Sequence, residues 1–372
     1  MIDLAGRRIW VMAKGYAADE GGMQTYAEGV AQAYAAAGAS VTVFTQTRAG
    51  PRQGPHGPVL LTDVGAHRPA LLPWRIARAM RQRARLEGAP HLVHGTTWRT
   101  SLLPMVLGLP YATTFHGREF MYGGGTRLAL MRRIAGRARV VCAVSRYTAG
   151  KLRERLGAKC QPVTVAWNGL GENAPSPATA QPNDPPLIFS LCRLEPRKNI
   201  AACVTALASL RDQGLAFRYV IGGRGPALAE VQDLVARLQL GDRVRVAGFL
   251  PAEETARLYA EADIFLHPQV AADGGRDFEG FGIAIADAMA AGCAVVVGTE
   301  GGAIELIEQA VTGLAVDGRD KGALEEAIRH LLTRADERKA MAQAAEIHAR
   351  ATFRWDRHVA RILDAAGAPF SG

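Results

Sequence analysis

The stretch RIWVMAKGYAADEGGMQTYAEGVAQAYAAAGASVTVFT, residues 8–45, decides the fold. After Arg8, IWVMA is a short apolar run of strand length. Residues 22–37 read as a helix and Gly38 as its C-terminal cap. SVTVFT, residues 40–45, is a β-branched strand. The loop after the first strand holds only one glycine pair, Gly21–Gly22, at the helix start. A dinucleotide-binding turn would need G-x-G-x-x-G there and an acid about 20 residues on. The loop therefore argues against a nicotinamide dehydrogenase. It suits a bare helix N-terminus that approaches a phosphate or a sugar.

The alternation continues downstream. PVLLTDV (58–64), HLVHG (91–95), YATTFHG (111–117) and VVCAVS (140–145) read as strands, with helical stretches between most of them. Then GENAPSPATAQPNDPP (171–186) brings five prolines and no apolar periodicity, the marks of a linker. After it the pattern restarts with strands at 187–193, 217–223, 244–250, 263–269 and 293–298. Strands separated by helix-length segments imply parallel sheets covered on both faces. The expected architecture is α/β: two doubly wound Rossmann-like domains, 1–170 and 187–353, facing each other across a cleft. In such sheets ligands sit outside the carboxyl ends of the strands.

Composition narrows the function classes. At 372 residues, two domains of ordinary size are expected, and 48% hydrophobic with 21% charged residues is a globular balance. Five cysteines lie far apart without C-x-x-C, which reads as reduced core thiols rather than a disulfide or zinc framework. The first residues are too weakly apolar for a signal peptide, and no apolar run reaches the roughly 18 residues of a membrane span. A cytoplasmic protein is expected. Charge is uneven: residues 1–170 hold 23 Lys+Arg against 8 Asp+Glu, whereas residues 171–372 hold 21 against 27. RIARAMRQRARLEG (75–88) carries Arg75, Arg78, Arg81 and Arg85. Such a helix can dock a phosphorylated acceptor or an anionic membrane at its inner face. The plain alternative is a solvated helix face. Nucleic acid is not expected, because aromatics are few and do not interleave with the basic runs.

Two constellations carry chemistry. In SLCRLEPRKNIAACVTAL, Arg193 stands at a strand end, and Arg197, Lys198 and Asn199 stand where the next helix starts, with Asn199 as its N-cap. Arg193 and Lys198, five apart, make a site for a diphosphate. In DFEGFGIAIADAMAAGCAVVVG, a helix over residues 283–291 is stopped by Gly292. Glu279 lies in the glycine-rich turn ahead of it and Asp287 about one turn inside. An unpaired buried carboxylate costs several kcal/mol, whereas sugar and ribose hydroxyls offer a carboxylate paired hydrogen bonds. Glu279 is thus read as a hexose contact and Asp287 as a ribose contact, with structural ion pairs as the alternative.

These residues resemble the family 4 retaining glycosyltransferases of GT-B fold. The family pattern R-x4-K-N stands here as Arg193…Lys198-Asn199, and E-G-F-G with a second acid eight residues on stands as Glu279-Gly280-Phe281-Gly282…Asp287. Gly301–Gly302, the glycine loop with its first helix, and TFHG (114–117) agree. The departure is Asp287, where the family usually has Glu.

The resemblance implies the following roles. Arg193 and Lys198 neutralise the donor diphosphate. Glu279 binds sugar hydroxyls beside the backbone N–H groups of Phe281, Gly282 and Ile283, and Asp287 binds ribose. Gly22 lets the first helix approach the diphosphate. His116, which as a lone histidine reads as structural, contacts the donor sugar or the reacting centre as a catalytic residue. The last helix, within 354–372, crosses back to the N-terminal domain. The reaction is transfer of a hexose from a nucleoside-diphosphate sugar to a glycan or lipid-linked acceptor, without cofactor or metal. The loop before Glu279, GGRDF, resembles mannose-transferring members, with GDP or UDP as the carrier. A nucleotide-sugar epimerase and a non-catalytic basic membrane- or polymer-binding protein are the rival readings.

Overall fold

The structure is a computed structural model and describes residues 3–16, 21–157, 161–171 and 183–367. Residues 172–182, most of the expected linker, and Cys160 lie outside the described residues. The chain divides into two compact units, Met1–Gly169 with Arg354–Gly372, and Leu170–Phe353.

The first unit is built on eight strands: β1 (Arg8–Met12), β2 (Ser40–Thr45), β3 (Arg52–His56), β4 (Val59–Asp63), β5 (Leu92–Gly95), β6 (Tyr111–Phe115), β7 (Val140–Ala143) and β8 (Val163–Val165). Their order is β3-β4-β2-β1-β5-β6-β7-β8. Every pairing is parallel except the β3–β4 hairpin, which makes the sheet mixed. Central strands are buried along almost their whole length, β1 from Ile9 and β6 throughout, because helices cover both faces. The helices are α1 (Gly22–Ala36), α2 (Leu72–Glu87), α3 (Leu102–Val106), α4 (Arg118–Met121), α5 (Gly125–Arg137) and α6 (Arg146–Leu156). Gly38 follows α1 at φ 94°, a value open to glycine and strained for most residues. Strand β3 had no sequence signal, since RQGPH is exposed, carries a proline and does not alternate.

The second unit has six parallel strands: β9 (Leu187–Leu191), β10 (Arg218–Gly222), β11 (Val244–Gly248), β12 (Ile264–His267), β13 (Ala294–Gly298) and β14 (Leu314–Val316). Their order is β11-β10-β9-β12-β13-β14. Its helices are α7 (Ile200–Asp212), α8 (Leu228–Arg237), α9 (Ala252–Glu261), α10 (Ile283–Ala290), α11 (Lys321–Thr333) and α12 (Ala335–Thr352). Phe189, Tyr259 and Phe265 form an aromatic centre under β9 and β12. Helix α13 (Trp355–Ala366) belongs to the first unit and packs on α1. The contact is close because Gly29 has no side chain: a Cβ there would lie 2.1 Å from the Trp355 ring.

The strand orders locate the crevices. In the second unit the order reverses between β9 and β12, and in the first between β1 and β5. The space beyond the C-terminal ends of such a strand pair is where doubly wound sheets take ligands.

Candidate functional site

The second unit gathers charged side chains at its reversal point. After β9 the chain forms a 3₁₀ turn, Pro196–Lys198, and Asn199 takes φ 60° and ψ 29° before α7 begins. Asparagine tolerates this left-handed conformation better than most residues. The expected N-cap is corrected here: Asn199 makes no side-chain cap bond. Its Nδ2 instead donates to the carbonyls of Pro268 (3.1 Å) and Gly318 (2.7 Å). Those two bonds tie the turn to the segments just past β12 and β14, beside which Lys198 lies.

Lys198 is buried. Its Nζ bonds Glu279 Oε2 and lies 3.2 Å from His267 Nε2. The tautomer of His267 follows from its neighbour. Gln269 Nε2 donates to the carbonyls of Gly298 (2.9 Å) and Glu300 (3.2 Å), so Gln269 Oε1 is the acceptor for His267 Nδ1–H at 3.0 Å. His267 Nε2 then carries a lone pair and accepts from the ammonium. Burial, and then the charge of Lys198, push this imidazole down to about 4.

Arg197 completes the knot. It lies 2.8 Å from Glu279, 3.2 Å from Asp277 and 3.3 Å from Glu195. Burial would raise the carboxyl of Glu279, but Lys198 and Arg197 outweigh it and hold Glu279 well below the usual carboxylate range. Glu279 is therefore an anion clamped by two cations at the carboxyl ends of β9 and β12. Its main chain is fixed from behind, where Gly302 N–H donates to the Glu279 carbonyl at 2.7 Å. A Cβ on Gly301 (φ 103°) would lie 2.6 Å from that oxygen, so glycine is a steric requirement at this position.

The other expected residues take separate positions. Arg193 points to solvent, its side chain 70% exposed, and pairs with Glu195 at 3.2 Å rather than joining Lys198 on Glu279. Phe281 is buried, with its ring edge-on to Phe353 at 5.6 Å. Gly282 (φ 100°) precedes α10, and Ile283 opens it. Asp287 lies inside α10, and its Oδ1 accepts from Gly171 N–H at 2.7 Å. Burial of its surroundings pushes this carboxyl up to about 7, against the opposing effect of the Gly171 bond.

In the first unit His116 follows β6. Its Nε2–H donates to the Thr96 carbonyl at 2.8 Å, and its backbone N–H to Glu119 Oε1 at 2.6 Å. Burial lowers its pKa, although Glu119 opposes this, and favours the neutral ring. Gly22 is the first residue of α1. A Cβ there would meet nothing within 4 Å, so packing inside the unit does not explain the glycine.

On α2 the four arginines separate. Arg75 is corrected: it is half-buried and donates to the carbonyls of His67 (3.0 Å) and Val64, holding the preceding loop. Arg78, Arg81 and Arg85 are exposed, and Trp74 among them is 58% exposed.

Sequence reasoning missed His267 and Gln269, polar residues that end the apolar run of β12, and gave Arg197 no role of its own. Among the described residues no group of three or more His, Cys, Asp or Glu could hold a metal ion, and no helix is long and apolar enough to cross a membrane.

Residues 20–171 match the family profile described as Glycosyltransferase Family 4, and residues 174–348 match that of Glycosyl transferases group 1. A GDP-mannose-dependent alpha-(1-6)-phosphatidylinositol monomannoside mannosyltransferase of Mycobacterium tuberculosis is 31% identical over 291 residues, 72% of this chain and 74% of that protein. The amylovoran biosynthesis glycosyltransferase AmsK of Erwinia amylovora is 40% identical over 143 residues, 38% of this chain and 35% of that protein. Among solved structures, sucrose-phosphate synthase from Thermosynechococcus elongatus matches with TM-score 0.78 at 22% identity, over 97% of this chain and 100% of that one. Anabaena HepE in complex with UDP-glucose matches with TM-score 0.74 at 19% identity, over 96% and 99%. These two show the fold, α/β of GT-B class. With two Rossmann-like units and a family profile matching each part of its length, the chain belongs to glycosyltransferase family 4 and is a glycosyltransferase.

Proposed function

We propose that the enzyme transfers mannose from GDP-mannose to a phosphorylated or lipid-linked glycan acceptor, with retention at the anomeric carbon, in the synthesis of a cell-surface or secreted polysaccharide. The observation that carries this reading is the clamp of Lys198 and Arg197 on Glu279 at the reversal point of the second sheet. The mycobacterial relative's use of GDP-mannose supports the donor.

In the transfer, the bond from the sugar C1 to the diphosphate oxygen breaks and its electron pair leaves with the diphosphate. The acceptor oxygen bonds C1, and its proton passes to the departing phosphate. Negative charge develops on that phosphate, and preorganised cations in a half-dry site stabilise it most. Lys198 and Arg197 supply two such charges, with Arg193 as an exposed third, so the reading needs no metal. Lys198 has three N–H donors, two of them engaged by Glu279 and His267.

Glu279, kept ionised, accepts from sugar hydroxyls. The N–H groups of Phe281, Gly282 and Ile283 lie at the start of α10, where main-chain donors lack helical partners. Asp287 is the ribose contact, Gly22 the approach to the diphosphate, and His116 a contact for the donor sugar. Arg78, Arg81 and Arg85 draw the acceptor's phosphates or an anionic membrane on its cytoplasmic side.

The test is donor choice. GDP-mannose is expected to raise the melting temperature and to yield GDP, in the presence of EDTA as in its absence, whereas UDP-glucose and UDP-N-acetylglucosamine do neither. Stabilisation by a UDP-sugar alone would replace mannose and GDP in this reading. Conversion of the donor without acceptor to an epimer would replace transfer itself.

A further inference from the structure

Tyr26, on α1, is the centre of a solvent-free polar chain within the first unit. Its hydroxyl lies 2.8 Å from Thr114 Oγ1, 2.9 Å from His358 Nε2 and 3.1 Å from His94 Nε2. The Trp167 carbonyl at one end sets the direction of the bonds. His358 Nδ1 lies 3.0 Å from the Trp167 carbonyl, which only accepts, so Nδ1 carries a proton. Burial pushes His358 down to about 4, so its Nε2 is a lone pair and Tyr26 donates to it. At the other end Tyr34 Oη lies 3.1 Å from His94 Nδ1, and His94 Nε2 lies 2.9 Å from Thr114 Oγ1. With Tyr34 donating to His94, the order is Tyr34 to His94 to Thr114 to Tyr26 to His358 to the Trp167 carbonyl. Each donor meets one acceptor, and the side chains from Tyr34 to His358 are at most 1% exposed.

The ring of Tyr26 meets that of His116 with centroids 4.5 Å apart and planes at 88°. The Nε2–H bond to Thr96 fixes one end of the His116 imidazole. It does not fix rotation of the ring about that bond. The Tyr26 ring does, and its own tilt is set by the hydroxyl anchored to Thr114 and His358. Trp355, at the start of α13, closes another side of Tyr26 at 5.6 Å.

We propose that Tyr26 is a positioning residue for sugar transfer: its anchored ring sets the plane of His116, and His358 on α13 sets Tyr26. The inference rests on the role given to His116 above. It assigns the C-terminal helix a part in the geometry of the reaction as well as in packing.

Four variants test it, read by release of GDP from GDP-mannose with water as acceptor. Tyr26→Phe keeps the ring and removes its anchor. His358→Asn keeps an N–H near the Nδ1 position for Trp167 and removes the acceptor for Tyr26. His358→Gln restores an acceptor near the Nε2 position. His116→Ala tests the histidine itself. A misplacement of about 1 Å can cost up to 10²-fold in rate, so we expect Tyr26→Phe and His358→Asn each to lower kcat about 10-fold with KM for GDP-mannose within about twofold. His358→Gln should recover most of kcat. Normal kcat in Tyr26→Phe and His358→Asn with only a lower Tm would overturn the inference, as would His358→Gln as impaired as His358→Asn. In that event a slow His116→Ala keeps the reading of His116 intact. A normal kcat for His116→Ala would remove both.

Discussion

Replacing Lys198 by alanine separates a diphosphate site from a structural ion pair. Lys198 is 8% exposed and donates to Glu279 and to His267, 3.2 Å away. Removing one partner of a buried pair costs about 3–5 kcal/mol when the other is left uncompensated. Arg197 stays 2.8 Å from Glu279, so the carboxylate keeps one cation. We therefore expect about half that cost, ~2 kcal/mol, or a fall in Tm of about 4–8 °C for a unit of this size. On the function proposed above the effect on transfer is larger, because the lost charge would face the leaving group where negative charge grows. The expected fall in kcat/KM is about 10²-fold, on the order of 3 kcal/mol. The assay is GDP release from GDP-mannose well below the melting temperature of the variant, with circular dichroism on the same samples. His267 provides an internal check, since without Lys198 its pKa should rise from about 4, read by the imidazole NMR shift against pH. A variant that melts lower yet keeps kcat/KM within about threefold of the parent would refute the argument and leave Lys198 a structural cation.

Other outcomes follow from the same geometry. His267 and His358 are both pushed down to about 4, below the unfolded value near 6.5, so each contributes stability above pH 6.5 that is lost as pH falls toward 4. Urea melts at pH 7 and pH 5 should differ by about 2 kcal/mol per histidine, and equal midpoints would contradict the buried neutral rings. Asp287 has the opposite sign: its folded value near 7 lies above the unfolded one, so its penalty grows as pH rises through 4–7. Asp287→Asn should therefore raise stability at pH 8 by about 1–2 kcal/mol, allowing for its partial exposure, while weakening GDP-mannose binding measured by calorimetry. Gly29→Ala would gain about 1 kcal/mol of helix propensity in an open helix. Here the Cβ meets Trp355 at 2.1 Å, so a net loss of about 1–3 kcal/mol is expected, with a shift in tryptophan fluorescence. Arg78→Ala, Arg81→Ala and Arg85→Ala together should abolish salt-sensitive retention on phosphatidylglycerol vesicles. Arg75→Ala should leave retention unchanged and cost about 1 kcal/mol of stability through its lost carbonyl bonds.

Much of the fold was legible because parallel strands buried on both faces need continuous apolar runs, and these stand out between helix-length segments. RIWVMA and SVTVFT became β1 and β2 in parallel register, Trp10 opposite Thr42. Strands β3, β8 and β14 lie at sheet edges or are three residues long, and periodicity carries little signal there. Of the second-unit site, Glu279 stood out as a charge in a glycine-rich apolar stretch and Lys198 as a cation where a helix starts. Their pairing did not, since 81 residues separate them. His267 passed unnoticed at the end of an apolar run, and Arg75 looked like its neighbours on α2 although it turns inward.

The sequence alone determined the α/β class, the two units and the residue types available to meet a diphosphate and a sugar. Apolar spacing and glycine placement act between near neighbours in the chain, so they can be read without a fold. The tertiary structure decided which charges meet: Arg197 rather than Arg193 on Glu279, Lys198 on a neutral His267, and Tyr26 among three histidines drawn from β5, from the end of β6 and from α13. Those contacts depend on strand order and on the glycines that let one segment lie against another, and a local pattern of residues encodes neither.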